Sequence, residues 1–311
     1  MTEEITFFSK DDIECPICST NFKREELRMG GGRLNAGNLT NELRRNYIPT
    51  QKYGKVTPLI YPITVCPNCL YSADDYDFLS IPQKAIDKIV KYRDVRASYL
   101  LKIFGKIPDF SAQRDLTSGI SSYILAMSCY PFFDKKRFSP TIKIGIYSLR
   151  SAWLFNDLYM ETKNENYNEL STLFYKKASD YYELAINNQT KAIEPLDGAK
   201  NLGPDTDKNY GYDGVLYINA VLKYKNIISV EDPYEKVKKL EEIKRILSKV
   251  FGIGKKTKNK PEVLLNFSKD IYENVTKDFE NIKELLSKEQ QEEFYAIDKE
   301  EEDGEWKNFF F

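Results

Sequence analysis

A chain of 311 residues with 46 Lys and Arg against 47 Asp and Glu carries no overall charge with which to draw in phosphate or acidic lipid. No apolar run approaches the roughly 18 residues that span a bilayer, and the start Met1-Thr2-Glu3-Glu4-Ile5 lacks the basic and apolar regions of a secretion signal; a cytoplasmic location is expected, with no membrane partner. Histidine is absent, which removes Ser-His-Asp and Cys-His nucleophile systems and mixed Cys/His metal sites together. No recognised catalytic motif replaces them, and an enzyme is not expected.

Residues 1–14 read as a short lead with one strand through Ile5-Thr6-Phe7-Phe8. A first CPxC knuckle follows, Cys15-Pro16-Ile17-Cys18, and a second closes the region at Cys66-Pro67-Asn68-Cys69, with 47 residues between them. Each CxxC turn points two thiolates at one spot, and two such turns brought together make a tetrahedral sulfur site of the kind zinc prefers. Proline after the first cysteine of each pair stiffens the turn. Nothing routes the chain to an oxidising compartment where disulfides would form, and no βαβ pattern surrounds the pairs as it would in a thioredoxin-like protein. The expected ligands are Cys15, Cys18, Cys66 and Cys69 around a structural Zn2+, with iron in a rubredoxin-type centre as the alternative metal. Closing a loop of this length costs about 4 kcal/mol, against roughly 10–16 kcal/mol from structural zinc. Thiolates fill all four positions and leave none for water, so the site is structural.

The connector between the knuckles is broken by Gly30-Gly31-Gly32 and Gly37 and lacks the Lys-Ser/Thr of a phosphate loop. It is locally basic: Lys23, Arg24, Arg28, Arg33, Arg44, Arg45, Lys52 and Lys55 face Glu25, Glu26 and Glu42, eight against three. With Tyr47 and Tyr53 it could offer a nucleic-acid surface. The favoured reading is a loop whose arginines pair with acidic groups of the helical part. Residues 56–65, β-branched and aromatic, are expected to enter the second knuckle as a strand.

From Pro82 onward the pattern is helical. Ala85, Ile86, Ile89, Val90, Tyr92, Val95, Leu100, Leu101 and Phe104 recur at three- and four-residue steps until Gly105 and Pro108. Further helices are expected over 111–130, 140–161, 167–193, 214–228 and 233–251, with a polar loop from Gly198 to Gly214. Cys129, the fifth cysteine, sits among apolar neighbours and reads as a buried core thiol. Ala178, Tyr182 and Ala185 follow the second-helix pattern of a tetratricopeptide repeat, in which small residues admit a neighbouring helix carrying Trp153. A more degenerate copy spans Leu216–Lys225 and Tyr234–Leu247. The loop from Asp205 to Asp213 offers oxygen ligands at positions one, three and five, yet Tyr210 takes the glycine place of a calcium loop and Leu216 the glutamate place; it reads as a polar turn. After a basic linker at 255–260, Pro261 opens a helix with Leu264, Phe267, Ile271, Val275, Phe279, Ile282 and Leu286 in one stripe, expected to pack on its own chain.

The two knuckles, the Arg-rich connector, the block Tyr61-Pro-Ile-Thr-Val-Cys66-Pro-Asn-Cys69-Leu-Tyr71-Ser-Ala73 and the Tyr-rich helices with Ala178 and Ala185 resemble bacterial domain-of-unknown-function family 2225. The resemblance covers residues 10–250 and implies paired CPxC knuckles followed by a tetratricopeptide-like helical region. It implies no reaction. Relatives commonly carry glycine where this chain has Leu70.

The expected fold is mostly α. A small zinc-ribbon-like module with four cysteines and few short strands spans 1–80, and a tetratricopeptide-like α-helical domain of hairpins spans 81–254. An additional C-terminal helix spans 261–297, and a mobile acidic and aromatic tail 298–311. The expected function is a protein-protein interaction adaptor or scaffold. A nucleic-acid-binding protein using the connector is the first alternative, and an enzyme without recognisable motifs the second.

Overall fold

The structure is a computed structural model and describes residues 5–252, 260–286 and 290. The chain forms two compact units, Met1–Asn219 and Ala220–Phe311.

The first unit begins with antiparallel strand pairs of two to four residues. Strand β1 (Thr6–Phe8) pairs with β4 (Glu25–Leu27), and between them in sequence β2 (Ile13–Glu14) pairs with β3 (Asn21–Phe22). Within the connector β5 (Ala36–Leu39) pairs with β6 (Arg45–Tyr47), and β7 (Ile63–Val65) pairs with β8 (Ser72–Asp74). Each cysteine knuckle is thus the tip of a hairpin, β2–β3 for the first and β7–β8 for the second. Hairpins this short are marginal alone. The strand expected over 56–65 is confined to its last three residues, behind a 3-10 turn at Pro58–Ile60. Pro58 and Pro62 have no N–H to give a ladder.

The helices are α1 (Asp75–Phe78), α2 (Gln83–Lys91), α3 (Arg93–Phe104), α4 (Leu116–Cys129), α5 (Lys135–Phe138), α6 (Pro140–Thr162), α7 (Glu165–Thr190) and α8 (Gly211–Lys225), in which the boundary between units falls. The helix expected to run unbroken to Phe104 is instead interrupted at Tyr92, whose ring stacks on Phe132 at 5.5 Å. The break also turns Arg96 inward, where it donates to the Ile89 carbonyl at 2.7 Å near the end of α2, a region where helix carbonyls otherwise lack donors.

Helix α4 is the centre of the unit. Asp115 caps it, accepting from the Ser118 N–H at 2.7 Å, and nearly all its residues are buried. At Gly119 a β-carbon would come within 2.5 Å of Ile60, so only glycine admits the turn before the second knuckle. Pro140 opens α6, which packs antiparallel on α7: Ser171 donates to the Ala152 carbonyl at 2.9 Å, and Gly145 faces Tyr182. Ala178, Tyr182 and Ala185 are buried, as is Trp153 on α6. This is the helical hairpin expected from the alanine and aromatic spacing. Cys129 is fully buried, as expected.

In the second unit α9 (Pro233–Phe251) lies along α10 (Glu262–Lys283). The degenerate repeat expected from α8 with α9 is therefore not the hairpin that forms. Val237, Leu240, Ile243, Leu247 and Val250 of α9 are buried, as are Leu264, Ile271, Val275 and Phe279 of α10; Phe251 meets Tyr272 edge to face at 5.3 Å. The C-terminal stripe packs on its own chain, as expected. The linker residues 255–259, the helix extension toward 297 (apart from residue 290) and the tail 298–311 lie outside the described residues.

Candidate metal centre

The two knuckles share one backbone pattern. In the first, Cys15 N–H donates to the Thr20 carbonyl at 3.0 Å and Ser19 N–H to the Cys15 carbonyl at 2.9 Å. In the second, Cys66 N–H donates to Tyr71 at 2.9 Å and Leu70 N–H to Cys66 at 3.0 Å. The residue after each pair is left-handed, φ 54° at Ser19 and 60° at Leu70. That conformation folds peptide N–H groups back on sulfur: those of Ile17 and Cys18 onto Cys15, and those of Asn68 and Cys69 onto Cys66.

All four sulfurs lie within 4.8 Å of one another, with Cys15 Sγ 3.6 Å from Cys69 and Cys18 Sγ 3.6 Å from Cys66. Ligands about 2.3 Å from a tetrahedral ion stand about 3.8 Å apart. The cysteines are free of disulfides, and the sequence-predicted ligands converge on one point. The donor set fits a thiophilic ion. Sulfurs packed this closely cannot all ionise unless a cation lies among them. Cys66, accepting from Cys15 and Cys69, is held far below the usual thiol range, while those two are pushed up, Cys15 to about 12.

A ring of polar groups supports the knuckles. Thr20 Oγ1 lies 3.3 Å from Cys18 Sγ and accepts from Asn68 Nδ2 at 3.0 Å, tying one knuckle to the other. Helix α3 adds two arginines: Arg93 donates to the Asn68 carbonyl at 2.8 Å, and buried Arg96 donates to the Cys69 carbonyl at 3.0 Å. A divalent ion held by four thiolates would carry net charge −2, which these cations would offset. Sequence reading missed both arginines.

Behind the second knuckle a buried network joins β8 and α1 to α4 and α6. Lys143 pairs with Asp77, and the Tyr130 hydroxyl donates to Asp77 at 2.7 Å while accepting the Asp74 N–H at 3.1 Å. Burial raises the Asp74 carboxyl, with Lys143 opposing. Burial also raises Asp75 to about 6, although Thr64 and Arg24 both reach it. Removing either partner of a buried ion pair strands the other, so Lys143 and Asp77 lock the knuckle to the helical hairpin.

The connector is laid on the same helices. Arg44 reaches Asp157 of α6, with one bond at 3.2 Å; Lys55 pairs with Glu161 at 2.9 Å, Arg24 with Asp75 at 2.8 Å and Arg45 with Asp207 at 3.0 Å. Glu42 accepts from Trp153 and, at 2.8 Å, from Tyr175. Arg24 and Arg44 pair with helix carboxylates, as expected, and Arg45 with one in the loop before α8. Asp205, which offered itself as a calcium ligand, is buried and accepts the Arg45 N–H at 2.6 Å.

A sequence profile described as "Uncharacterized protein conserved in bacteria (DUF2225)" matches residues 8–275. A protein of Borreliella burgdorferi described as "Uncharacterized protein" is 41% identical over 282 residues, 90% of this chain and 100% of that relative. No solved structure matches.

Proposed function

The chain belongs to this uncharacterized bacterial family, and from that premise we propose that it is a metal-stabilised adaptor that binds a protein partner through its helical region. The proposed ion is zinc, held by Cys15, Cys18, Cys66 and Cys69 in a closed, structural, non-catalytic site. The observation that carries the adaptor reading is a set of exposed apolar side chains at and after the start of α3, Tyr92, Val95 and Tyr99, which line one groove. Single exposed apolar residues are ordinary, whereas a contiguous set marks an interaction surface. The proposed setting is the cytoplasm; among the described residues no helix is long and apolar enough to cross a membrane.

The connector's cations weigh against a nucleic-acid role, since Arg24, Arg44, Arg45 and Lys55 each meet a carboxylate, and Tyr53 is buried where a base could not stack on it. The test is affinity capture of the full chain from its native cell with and without nuclease. Protein partners retained after nuclease support the adaptor; bulk recovery of nucleic acid, with partners lost on digestion, overturns it.

A further inference from the structure

Between α3 and α7, with α4 as its floor, lies a groove of about 530 Å³. Tyr92 and Tyr99 form one wall, Phe174 the other, and Ile124 lies at the base. The groove is apolar, yet two cations line it, Arg96 and Lys177, and no carboxylate does.

Among the described residues no carboxylate meets Lys177, and one donor of Arg96 has no acceptor. Lys177 lies against the rings of Phe174 and Tyr181, each centroid 5.9 Å from its Nζ. Among the described residues no acidic side chain pairs with it, and burial pulls its pKa down. Arg96, 1% exposed, gives one terminal nitrogen to Ile89 and the other to Cys69, while its Nε is buried without an acceptor. Buried donors in native proteins are almost always paired, which leaves the Arg96 Nε–H short of an acceptor, and Lys177, partly drawn out of water, has no carboxylate in the groove beside it. A half-buried lysine with no carboxylate, next to an unmet guanidinium N–H and aromatic walls, marks the place of an anion with an apolar body.

We propose that this groove is the partner-docking site and takes a peptide segment in which a carboxylate is flanked by aromatic or large aliphatic side chains. This rests on the adaptor reading and names its surface and its ligand class. The carboxylate lies toward Lys177 and Arg96, and the flanking side chains fill the space between Tyr92, Tyr99 and Phe174.

The test uses the full, metal-loaded chain and two synthetic peptides that differ only in charge, acetyl-Phe-Asp-Leu-Phe-amide and its Asn counterpart. Isothermal titration is expected to show the Asp peptide binding about tenfold tighter, the difference a charge-assisted hydrogen bond makes. Lys177→Gln, at a half-buried surface position, should collapse that preference to within about twofold. Tyr99→Ala should weaken both peptides by about fivefold without changing their ratio. Equal affinity for the two peptides, a preference that survives Lys177→Gln, or no heat at about 1 mM peptide overturns the proposal. Displacement by 3-phenylpropionate as strong as the peptide's own binding also overturns it, because the groove would then be a small-molecule site. Circular dichroism and metal content confirm that both variants fold. If nuclease-resistant partners are captured equally by wild type and the Lys177→Gln, Tyr99→Ala double variant, the groove assignment fails while the adaptor reading stands.

Discussion

Ser19 and Leu70 occupy the same place in the two knuckles, both left-handed, but Ser19 is exposed and Leu70 is 4% exposed. Replacing each by glycine should therefore move stability in opposite directions. At either site glycine relieves about 1–2 kcal/mol of left-handed strain, less roughly 0.5–1 kcal/mol for the freedom glycine gains in the unfolded chain. Ser19→Gly loses no packing and should stabilise by about 0.5–1 kcal/mol. Leu70→Gly gains the same relief but gives up roughly 1.5–3 kcal/mol of burial and leaves a cavity, a net loss of about 2 kcal/mol. Cobalt in place of the proposed zinc would make the site visible through its thiolate-to-metal absorption. Urea titration followed at that band should show Ser19→Gly melting later than wild type and Leu70→Gly earlier. A Leu70→Gly protein at least as stable as wild type would refute the reasoning, because the leucine would then be tolerated strain and not a core residue.

Three further outcomes follow from the geometry. Purified protein should carry one zinc per chain by elemental analysis, and Cys15→Ser should lower that content and unfold the N-terminal hairpins while most of the helical circular dichroism remains; metal-free protein after purification under reducing conditions speaks against the centre. Asp75 is raised to about 6 from an ordinary 3.8. The folded state then binds the extra proton between those values, so this group favours folding below about pH 4 and that contribution is lost as pH rises through 6; partial solvent access trims it to roughly 1–2 kcal/mol. Asp75→Asn should flatten the stability profile from pH 4 to 6, and an unchanged slope removes Asp75 as its source. Phe279 sits buried beneath Lys244, whose Nζ is 4.2 Å from the ring centre. Phe279→Asp should forfeit about 1.5–3 kcal/mol of burial and lower the thermal midpoint of the α9–α10 pair, with an unaltered melt showing that the contact contributes nothing.

The four-cysteine cluster was legible because its signal is local: two CPxC turns require nothing distant to be read. Helices α6, α7 and α9 were legible to within a few residues because their apolar spacing is regular and a proline opens two of them, Pro140 for α6 and Pro233 for α9. Arg93 and Arg96 were not, since their acceptors are backbone carbonyls 25 and 27 residues away, and carbonyls leave no mark in a sequence. The break at Tyr92 was hidden for a related reason. Its cause is a ring on another element, while the residues around it keep helical periodicity. In residues 56–65 the β-branched run outweighed two prolines that should have counted for more. The hairpin of α9 with α10, in place of α8 with α9, depended on which apolar faces met, and both pairs carried suitable ones.

Placing the connector on α6 and α7 has a consequence for how the chain is made. The set of four thiolates is complete once Cys69 has left the ribosome. The residues that hold Glu42 and the Arg45 amide arrive 111, 133 and 160 positions after them. With a metal bound there, the connector would during that interval be a loop tied at both ends by its sulfurs, its closure entropy already met. When the helices emerge, they meet a tethered surface in place of a free strand of chain. The proposed structural ion would thereby act on biogenesis, as the first knot in an ordered assembly.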